Sequence, residues 1–221
     1  MPLNTHHSLL STNLAIFASG AGSNAQKIID HFTSPPALSP ESIGIFDKGE
    51  GARKPKAIIS LIVCNKPGAG VLGIAAKENI PVLLLEKEEF FSGDAYLDKL
   101  KEKEIDLIVL AGFLWKIPDA LIKAYPGRII NIHPALLPKY GGKGMYGKHI
   151  HAAVIASGEK ESGITIHYVD EHYDNGDIIF QARCPVLPND TPDSLALRIH
   201  TLEHEHFPKV IERVINQIAG K

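Results

Sequence analysis

The chain has 221 residues, of which 23 are basic and 25 acidic, so its formal net charge is −2 at neutral pH. This length predicts one large domain or two small ones, and the 44% hydrophobic content is that of a globular protein and excludes an intrinsically disordered chain. A charge this close to neutral gives no electrostatic indication of nucleic acid or an anionic membrane, and we expect neither as a partner.

The amino-terminal residues 1–12 contain no Lys or Arg and no long apolar segment, which is unlike a secretory or transit signal. We expect these residues to form a short flexible tail. No stretch of the chain approaches the roughly 18 apolar residues that a membrane-spanning helix requires. Cys64 and Cys184 lie far apart in apolar segments, which predicts buried free thiols and a reducing compartment, and we expect the cytoplasm.

Apolar runs bounded by turn residues alternate with amphipathic segments along the rest of the chain. The apolar runs predict strands at 14–18, 57–64, 81–85, 105–111, 128–131, 163–169 and 177–186. The amphipathic segments predict helices at 24–32, 71–79, 94–103, 118–124, 149–156 and 194–219, with a kink or break at Pro208. Residues 34–56 are rich in Pro, Gly and Ser, which predicts a loop.

This alternation predicts an α/β fold with a Rossmann-like, mainly parallel central sheet and helices on both of its faces. We expect the last two strands to pair as an antiparallel hairpin. No linker divides the chain, so we expect a single domain over residues 1–221. In such sheets ligands bind beyond the carboxyl ends of the strands, a rule that brings residues 19–24, 65, 111–112 and 131–134 to one rim.

The first motif at this rim is Ser-Gly-Ala-Gly-Ser-Asn at 19–24, between a strand and a helix. Its small residues allow backbone N–H groups to approach a phosphate, which the amino terminus of a helix also favours. The motif lacks the third glycine of a dinucleotide loop and the Gly-Lys-Ser/Thr of a P-loop, so a phosphomonoester fits best. A tight turn with Ser23 or Asn24 as helix cap is an equally acceptable interpretation.

The second motif is Asn131-Ile132-His133-Pro134, at the end of a strand. Because alternate residues of a strand share a face, Asn131 and His133 point the same way, and an amide with an imidazole suits stabilisation of an oxyanion. Asp174 lies in a turn after the strand that carries His167, where a carboxylate can raise the pKa of a histidine and order a water. A structural pair and an ordinary turn aspartate are the alternatives.

Two further segments carry suggestive patterns. His200, Glu203 and His204 match the H-x-x-E-H pattern of zinc peptidases, but the pattern is short and a further acidic ligand is not evident, so we expect no metal. Residues 139–148 are glycine-rich and basic, which fits either a mobile loop over an anionic ligand or a solvated connector.

These motifs occur in a familiar order, with Leu-Ala-Gly-Phe at 110–113 and Ala-Leu-Leu-Pro-Lys-Tyr at 135–140 between them and Glu-His at 203–204 near the end. From about residue 14 onwards the chain resembles the phosphoribosylglycinamide formyltransferase family. The Asn-x-His-Pro block followed by Leu-Leu-Pro is specific to folate formyltransferases, and the Gly-Ser-Asn loop favours this member. The resemblance implies a formyltransferase fold and, as partners, two small molecules: the co-substrate 10-formyltetrahydrofolate donates its formyl group to the amine of glycinamide ribonucleotide in de novo purine biosynthesis. The oligomeric state does not follow from it.

The resemblance also implies roles for individual residues. Asn131 and His133 would stabilise the tetrahedral intermediate, while Asp174 would keep His133 protonated and position a water, so these three are the expected catalytic residues. The phosphate of the ribonucleotide would lie on Gly22, Ser23 and Asn24, and its glycinamide part against Glu203. The expected folate contacts are Asn131, Leu114, Trp115, Lys116, Ile117, Asp170, Glu171, His172 and Tyr173.

The chain departs from the family at four places: a longer segment at 140–151, Trp115 and Lys116 where relatives often have Arg and an aliphatic residue, residues 92–94, which lack an arginine that many relatives use near the folate, and the loop at 34–56, which has no counterpart. Three other functions stay open. They are a formyltransferase for another amine such as an amino-sugar nucleotide, a zinc protein using His200, Glu203 and His204, and a non-enzymatic phosphate-binding module.

Overall fold

The computed structural model describes residues 11–34 and 57–219. Residues 1–10 of the expected tail at 1–12, and all but the first residue of the expected loop at 34–56, lie outside these ranges. The described strands are β1 (Thr12–Ala18), β2 (Ala57–Cys64), β3 (Val82–Leu84), β4 (Leu107–Leu110), β5 (Ile129–His133), β6 (Glu161–Tyr168) and β7 (Ile178–Pro185). The described helices are α1 (Ser23–Thr33), α2 (Gly70–Lys77), α3 (Lys87–Ser92), α4 (Leu97–Glu102), α5 (Asp119–Ala124), α6 (Lys148–Ala156) and α7 (Pro192–Ala219).

The strands form one mixed sheet in the order β3-β2-β1-β4-β5-β6-β7. The first five of these pair in parallel, whereas β6 is antiparallel to both β5 and β7. The predicted fold class, with a mainly parallel sheet and an antiparallel hairpin at the carboxyl-terminal side, is therefore confirmed.

The direction of chain winding reverses between β1 and β4. From β1 the chain runs outward through β2 and β3, and then returns to the other side of β1 to form β4. Loops that leave two neighbouring strands in opposite directions open a crevice at their carboxyl ends, which is where ligands bind in open α/β sheets. Here the two loops remain joined at their base by a hydrogen bond of 3.1 Å from the Ser19 N–H to the Gly112 carbonyl.

Each face of the sheet carries its own apolar core. On β1, Leu14, Ile16 and Ala18 pack with side chains of α1, α2, α6 and α7, whereas Ala15 and Phe17 pack with those of α3, α4 and α5. Because successive strand residues point to opposite faces, a strand covered by helices on both sides must be apolar throughout. This explains the continuous apolar run from which β1 was predicted.

Three local predictions need correction. Thr12 does not belong to a flexible tail: it is buried in β1 and pairs in register with Ala57. Helix α3 was not predicted, because six residues, KEEFFS, are too few to show a helical repeat. Helix α7 is continuous through Pro208, since the burial of Phe207, Pro208 and Val210 offsets the lost hydrogen bond of the proline.

Cys64 and Cys184 are buried free thiols, as predicted. None of the helices in the described residues is long and apolar enough to cross a bilayer.

Candidate active site

A cavity of about 700 Å³ opens at the switch point between β1 and β4. Its walls come from residues 20–24 after β1, 110–117 after β4, 131–134 at the end of β5 and 142–148 before α6, with side chains of α6 and α7. Most of the predicted rim therefore lines one cavity. Ser19 and Asn65 do not line it: Ser19 is buried below it, where its hydroxyl accepts a hydrogen bond of 3.0 Å from the Leu114 N–H.

The loop between β1 and α1 is shaped by Gly22. This residue has φ of +83°, and a Cβ atom there would lie 2.8 Å from Ile74 Cδ1 and 2.9 Å from the Cα of Val71. Gly22 also occupies the cap position of α1, and no side chain caps the helix, so the predicted capping role of Ser23 or Asn24 is wrong. The first N–H groups of a helix lack intrahelical partners, and here they begin at the cavity wall, where a phosphate can accept from them.

Asn24 links this loop to α7. Its Nδ2 donates to Glu203 Oε2 at 2.9 Å, across 179 positions of sequence, and His200 Nδ1 lies 2.8 Å from the same carboxylate oxygen. The hydrogen bond to Glu203 raises the pKa of His200 above 6.5, although burial opposes this. Glu203 is 4% exposed and lines the cavity, so its carboxylate is directed at the end of the cavity that contains the loop.

Asn131, His133 and Asp174 form a compact polar cluster on the cavity wall. Asp174 Oδ1 lies 3.5 Å from both Asn131 Nδ2 and His133 Nδ1, and the Gly142 N–H donates to Asp174 Oδ2 at 2.9 Å. The two alternate residues of β5 thus point to one carboxylate, as their spacing predicted. An amide N–H, an imidazole and a carboxylate around one point can stabilise a developing oxyanion and hold a water.

His167 completes this cluster and was not predicted as a site residue. It pairs directly with Asn131 in the antiparallel β5–β6 register, and its Nε2 lies 3.1 Å from Asn131 Nδ2. His167 Nδ1 lies 2.8 Å from the Tyr168 carbonyl, which can only accept, so Nδ1 carries a proton, while Nε2 faces both Asn131 Nδ2 and, at 3.7 Å, Asp174 Oδ1. This contact fixes which end of the Asn131 amide faces the cluster.

The hydrogen bonds of His133 also assign its protons. Its Nε2 donates to the Tyr140 carbonyl at 2.8 Å, which leaves Nδ1 facing Asp174. Burial lowers the pKa of His133 below 6.5, and the charge of Asp174 offsets this only in part. That Asp174 keeps His133 protonated stays a prediction: its charge raises the pKa of His133, and burial in the ligand-free site opposes this.

Asp174 itself is held as a carboxylate. Burial raises its pKa, but His167, His133 and the Gly142 N–H together outweigh burial and lower it below its usual 3.8. The backbone at Asp174 is left-handed, with φ of 53°, which aspartate tolerates better than most residues. A charged acceptor is thus present beside His133 and Asn131 over the whole neutral range of pH.

The segment after β5 is fixed by a buried threonine. Thr165 Oγ1 donates to the Ala135 carbonyl at 2.7 Å and accepts from the Leu137 N–H at 3.0 Å and from Gln181 Nε2 at 2.9 Å. Thr165 is fully buried on β6, opposite His133 in register. These bonds anchor the turn that returns the Tyr140 carbonyl to His133.

The opposite wall of the cavity is apolar and aromatic. Trp115 packs against Phe90 and Phe91 with ring centroids 5.6 Å apart in both cases. All of the expected folate contacts line the cavity except Glu171, which is exposed outside it. Lys116 lies 3.7 Å from Asp119, so its ammonium is shared with a carboxylate of α5.

Residues 142–148 of the glycine-rich basic segment contribute to the cavity lining, whereas residues 139–141 do not. Lys139 instead pairs with Glu159 at 2.9 Å on the outer surface. The start of the segment is therefore a solvated connector, whereas residues 142–148 form part of the cavity wall, where an anionic ligand could contact them.

The H-x-x-E-H pattern gives a different arrangement from a metal site. The His200 and His204 rings stack with centroids 6.2 Å apart, and the Glu203 carboxylate is bonded to Asn24 and His200. No group of three or more His, Cys, Asp or Glu side chains arranged to hold a metal ion occurs within residues 11–34 and 57–219.

Comparisons with known proteins agree with this geometry. Residues 12–211 match the model of the formyl transferase family. The chain is 40% identical over 210 residues to the chloroplastic phosphoribosylglycinamide formyltransferase of Vigna unguiculata, covering 92% of this chain and 61% of that protein. It is 37% identical over 205 residues to the phosphoribosylglycinamide formyltransferase of Bacillus subtilis, covering 91% and 93%.

Solved structures are similar in fold. The glycinamide ribonucleotide transformylase 1 of Geobacillus kaustophilus superposes with a TM-score of 0.77 at 36% identity, covering 93% of this chain and 100% of that chain. The phosphoribosylglycinamide formyltransferase of Bacillus halodurans gives a TM-score of 0.77 at 35% identity, covering 92% and 95%. With a family match over residues 12–211 and relatives 37–40% identical over more than nine tenths of its length, the chain belongs to the formyl transferase family and is similar to its phosphoribosylglycinamide formyltransferases.

Proposed function

We propose that this protein transfers the formyl group of 10-formyltetrahydrofolate to the amine of glycinamide ribonucleotide. The observation that carries the proposal is that one cavity joins a helix amino terminus suited to phosphate, the Asn131–His133–Asp174 cluster and an aromatic wall. The named relatives catalyse this kind of transfer according to their names, although the chain spans only about three fifths of the Vigna protein.

The acceptor substrate is assigned to the end of the cavity formed by the 19–24 loop and α7. Its phosphate accepts from the backbone N–H groups at Gly22, Ser23 and Asn24, where the positive end of the α1 dipole favours an anion. Glu203 then faces the ribosyl-glycinamide portion, whose hydroxyl and N–H groups are donors. A carboxylate with two existing hydrogen bonds retains lone pairs for such donors.

The folate is assigned to the opposite end. Trp115 and Leu114 offer flat and apolar surface to its rings, and the loop that contains Asp170, His172 and Tyr173 closes the other side. Leu114 is 55% exposed in the ligand-free protein, so a bound ring system would cover apolar surface there. Lys116 is the nearest candidate for an anionic tail, in place of the arginine absent from residues 92–94.

Chemistry follows from these two positions. The amine nitrogen attacks the formyl carbon, a C–N bond forms, and the carbonyl electron pair moves to the formyl oxygen. The Asn131 amide donates to this oxyanion. His133 stabilises the oxyanion as an imidazolium: it takes up one proton from solvent as the substrates bind and returns it to solvent after the products leave, and the Asp174 carboxylate favours this protonated form.

Collapse of the intermediate requires one proton to move. The attacking nitrogen loses its proton to a water held by Asp174, and the water passes a proton to N10 of the folate. The bond between carbon and N10 breaks with its electron pair on N10, and the oxyanion returns to a carbonyl. The products are N-formylglycinamide ribonucleotide and tetrahydrofolate.

The test is an acceptor panel, measured as initial rates with the chromogenic donor 10-formyl-5,8-dideazafolate. We expect glycinamide ribonucleotide to be used at least about 100-fold more efficiently than the unphosphorylated glycinamide riboside, because the helix terminus binds the phosphate. An amino-sugar nucleotide should give no turnover. Preference for the amino-sugar nucleotide would move the protein to another member of the family.

A cytoplasmic location and a single domain over the full 221 residues stay predictions from the sequence. The absence of a resident metal is likewise a prediction. Stoichiometric zinc in the purified protein would contradict it.

A further inference from the structure

One buried histidine in the cavity is not used by the mechanism above. His151 lies on α6, is 3% exposed and lines the cavity. Its Nδ1 atom is fully enclosed and has no hydrogen-bond partner. Buried polar atoms in native proteins are nearly always paired, so an enclosed ring nitrogen without a partner restricts where this ring can carry its proton.

The charged groups that act on His151 define where it lies. They are Glu203 and His200 on α7 and His133 on β5, which line the same cavity as His151 and belong to its acceptor end and its catalytic cluster. Burial lowers its pKa below 6.5; Glu203 opposes this, and His200 and His133 add to it. The ring is therefore neutral at physiological pH and carries one N–H.

The proton of this neutral ring belongs on Nε2. Placed on Nδ1, it would be a buried N–H without an acceptor, which is rarer in proteins than an unpaired acceptor lone pair. With Nδ1 enclosed, Nε2 is the nitrogen that the ring can offer to the cavity. His151 then presents a single neutral donor.

We propose that His151 is a substrate-positioning residue whose Nε2–H donates to an oxygen of the ribosyl-glycinamide portion of the acceptor. The inference rests on the proposed function, because it assigns part of that acceptor to this place. Glu203 accepts from the acceptor's donors and His151 donates to one of its oxygens, so together they fix the substrate between the phosphate loop and His133.

The experiment measures the dissociation constant of glycinamide ribonucleotide by calorimetry, and the KM of both substrates, for three variants. His151→Leu removes the donor, His151→Gln places an amide near the position of Nε2, and His151→Asn places one near Nδ1. His149→Asn is the matched control, since His149 lies on the same helix, is exposed and does not line the cavity.

We expect His151→Leu to weaken acceptor binding about tenfold, the loss of one neutral hydrogen bond that leaves its partner unpaired. His151→Gln should recover most of this and His151→Asn little, with the KM of the folate unchanged throughout. Unchanged acceptor binding in a folded His151→Leu protein would overturn the inference. So would an equal rise in both KM values, or a similar effect of His149→Asn.

The wild-type protein separates this inference from the proposed function. If it turns over glycinamide ribonucleotide while the His151 variants bind that acceptor normally, only the role of His151 is wrong. If the wild-type protein neither binds nor formylates glycinamide ribonucleotide, the proposed function is wrong and the inference is overturned with it.

Discussion

Replacing Asp174 by Asn removes one negative charge from the catalytic cluster with little change of shape. In the wild-type protein the Asp174 carboxylate lies 3.5 Å from His133 Nδ1, and its side chain is 12% exposed. At an effective dielectric constant of about 20, two unit charges at that separation attract by about 5 kcal/mol. This is the upper limit of what Asp174 contributes to a protonated His133 in the transition state.

The expected loss of turnover is smaller than that limit. Solvent at the open side of the cavity screens the pair, and the Asn131 amide still donates to the oxyanion. We expect kcat to fall by about 10²- to 10³-fold, equivalent to about 3–4 kcal/mol. The KM of glycinamide ribonucleotide should change less than threefold or so, because Asp174 acts mainly after the amine has attacked.

The assay is the steady-state rate of formyl transfer by Asp174→Asn and wild type, with urea unfolding of both proteins to confirm that the variant is folded. A folded Asp174→Asn protein with kcat within about threefold of wild type would refute the electrostatic role. A rise in KM at unchanged kcat would also contradict it, because that pattern marks binding of the ground state.

Three further predictions concern stability and are measured by urea unfolding. Gly22→Ala should destabilise the protein by about 2–4 kcal/mol, because the backbone there is left-handed and the added Cβ would overlap its neighbours. The control Gly20→Ala, with no atom within 4 Å of its added Cβ, should change the free energy of unfolding little, and equal effects of the two substitutions would contradict this reasoning. Thr165→Val should destabilise by about 2–4 kcal/mol, because buried backbone groups lose their partner, and a change below about 1 kcal/mol would count against the anchor. Burial lowers the pKa of His133 and of His151, so below pH 6.5 the unfolded chain binds more protons than the folded protein. The free energy of unfolding should therefore be at its full value above about pH 7 and should fall as the pH drops through the folded pKa values, less steeply in His151→Gln. A free energy of unfolding that does not change with pH would exclude this linkage.

The order of strands and helices could be predicted because each buried strand is a continuous apolar run. Helix α3 could not be predicted, because its six residues make less than two turns and are too few to show a helical repeat of apolar positions. At Pro208 local propensity predicted a kink or break; the helix does not break there, because the apolar residues on both sides continue one buried face and tertiary burial keeps the helix continuous.

The polar cluster was predictable only in part. The i, i+2 spacing of Asn131 and His133 indicates a shared face, but their distance from Asp174 depends on how the turn after β6 folds back. His167 acquires its role from the register of two strands, and the histidine pattern alone carries no such information. The balance at His133 between the charge of Asp174 and burial could not be predicted, because the sequence shows the carboxylate but not the depth of burial.

Long-range contacts explain the rest. Asn24 and Glu203 are 179 residues apart, and their hydrogen bond exists because α1 and α7 pack on the same face of the sheet. Once that contact is known, Glu203 is a cavity-lining carboxylate with two hydrogen-bonding neighbours, which accounts for it without a metal site.

The most direct measurement is the rate of formyl transfer from 10-formyl-5,8-dideazafolate to glycinamide ribonucleotide, by the wild-type protein beside His133→Ala. We predict turnover that requires both substrates in the wild type and falls by at least about 100-fold in the variant. A wild-type protein without turnover would contradict the proposed function. A His133→Ala protein with near wild-type turnover would contradict the proposed catalytic role of His133.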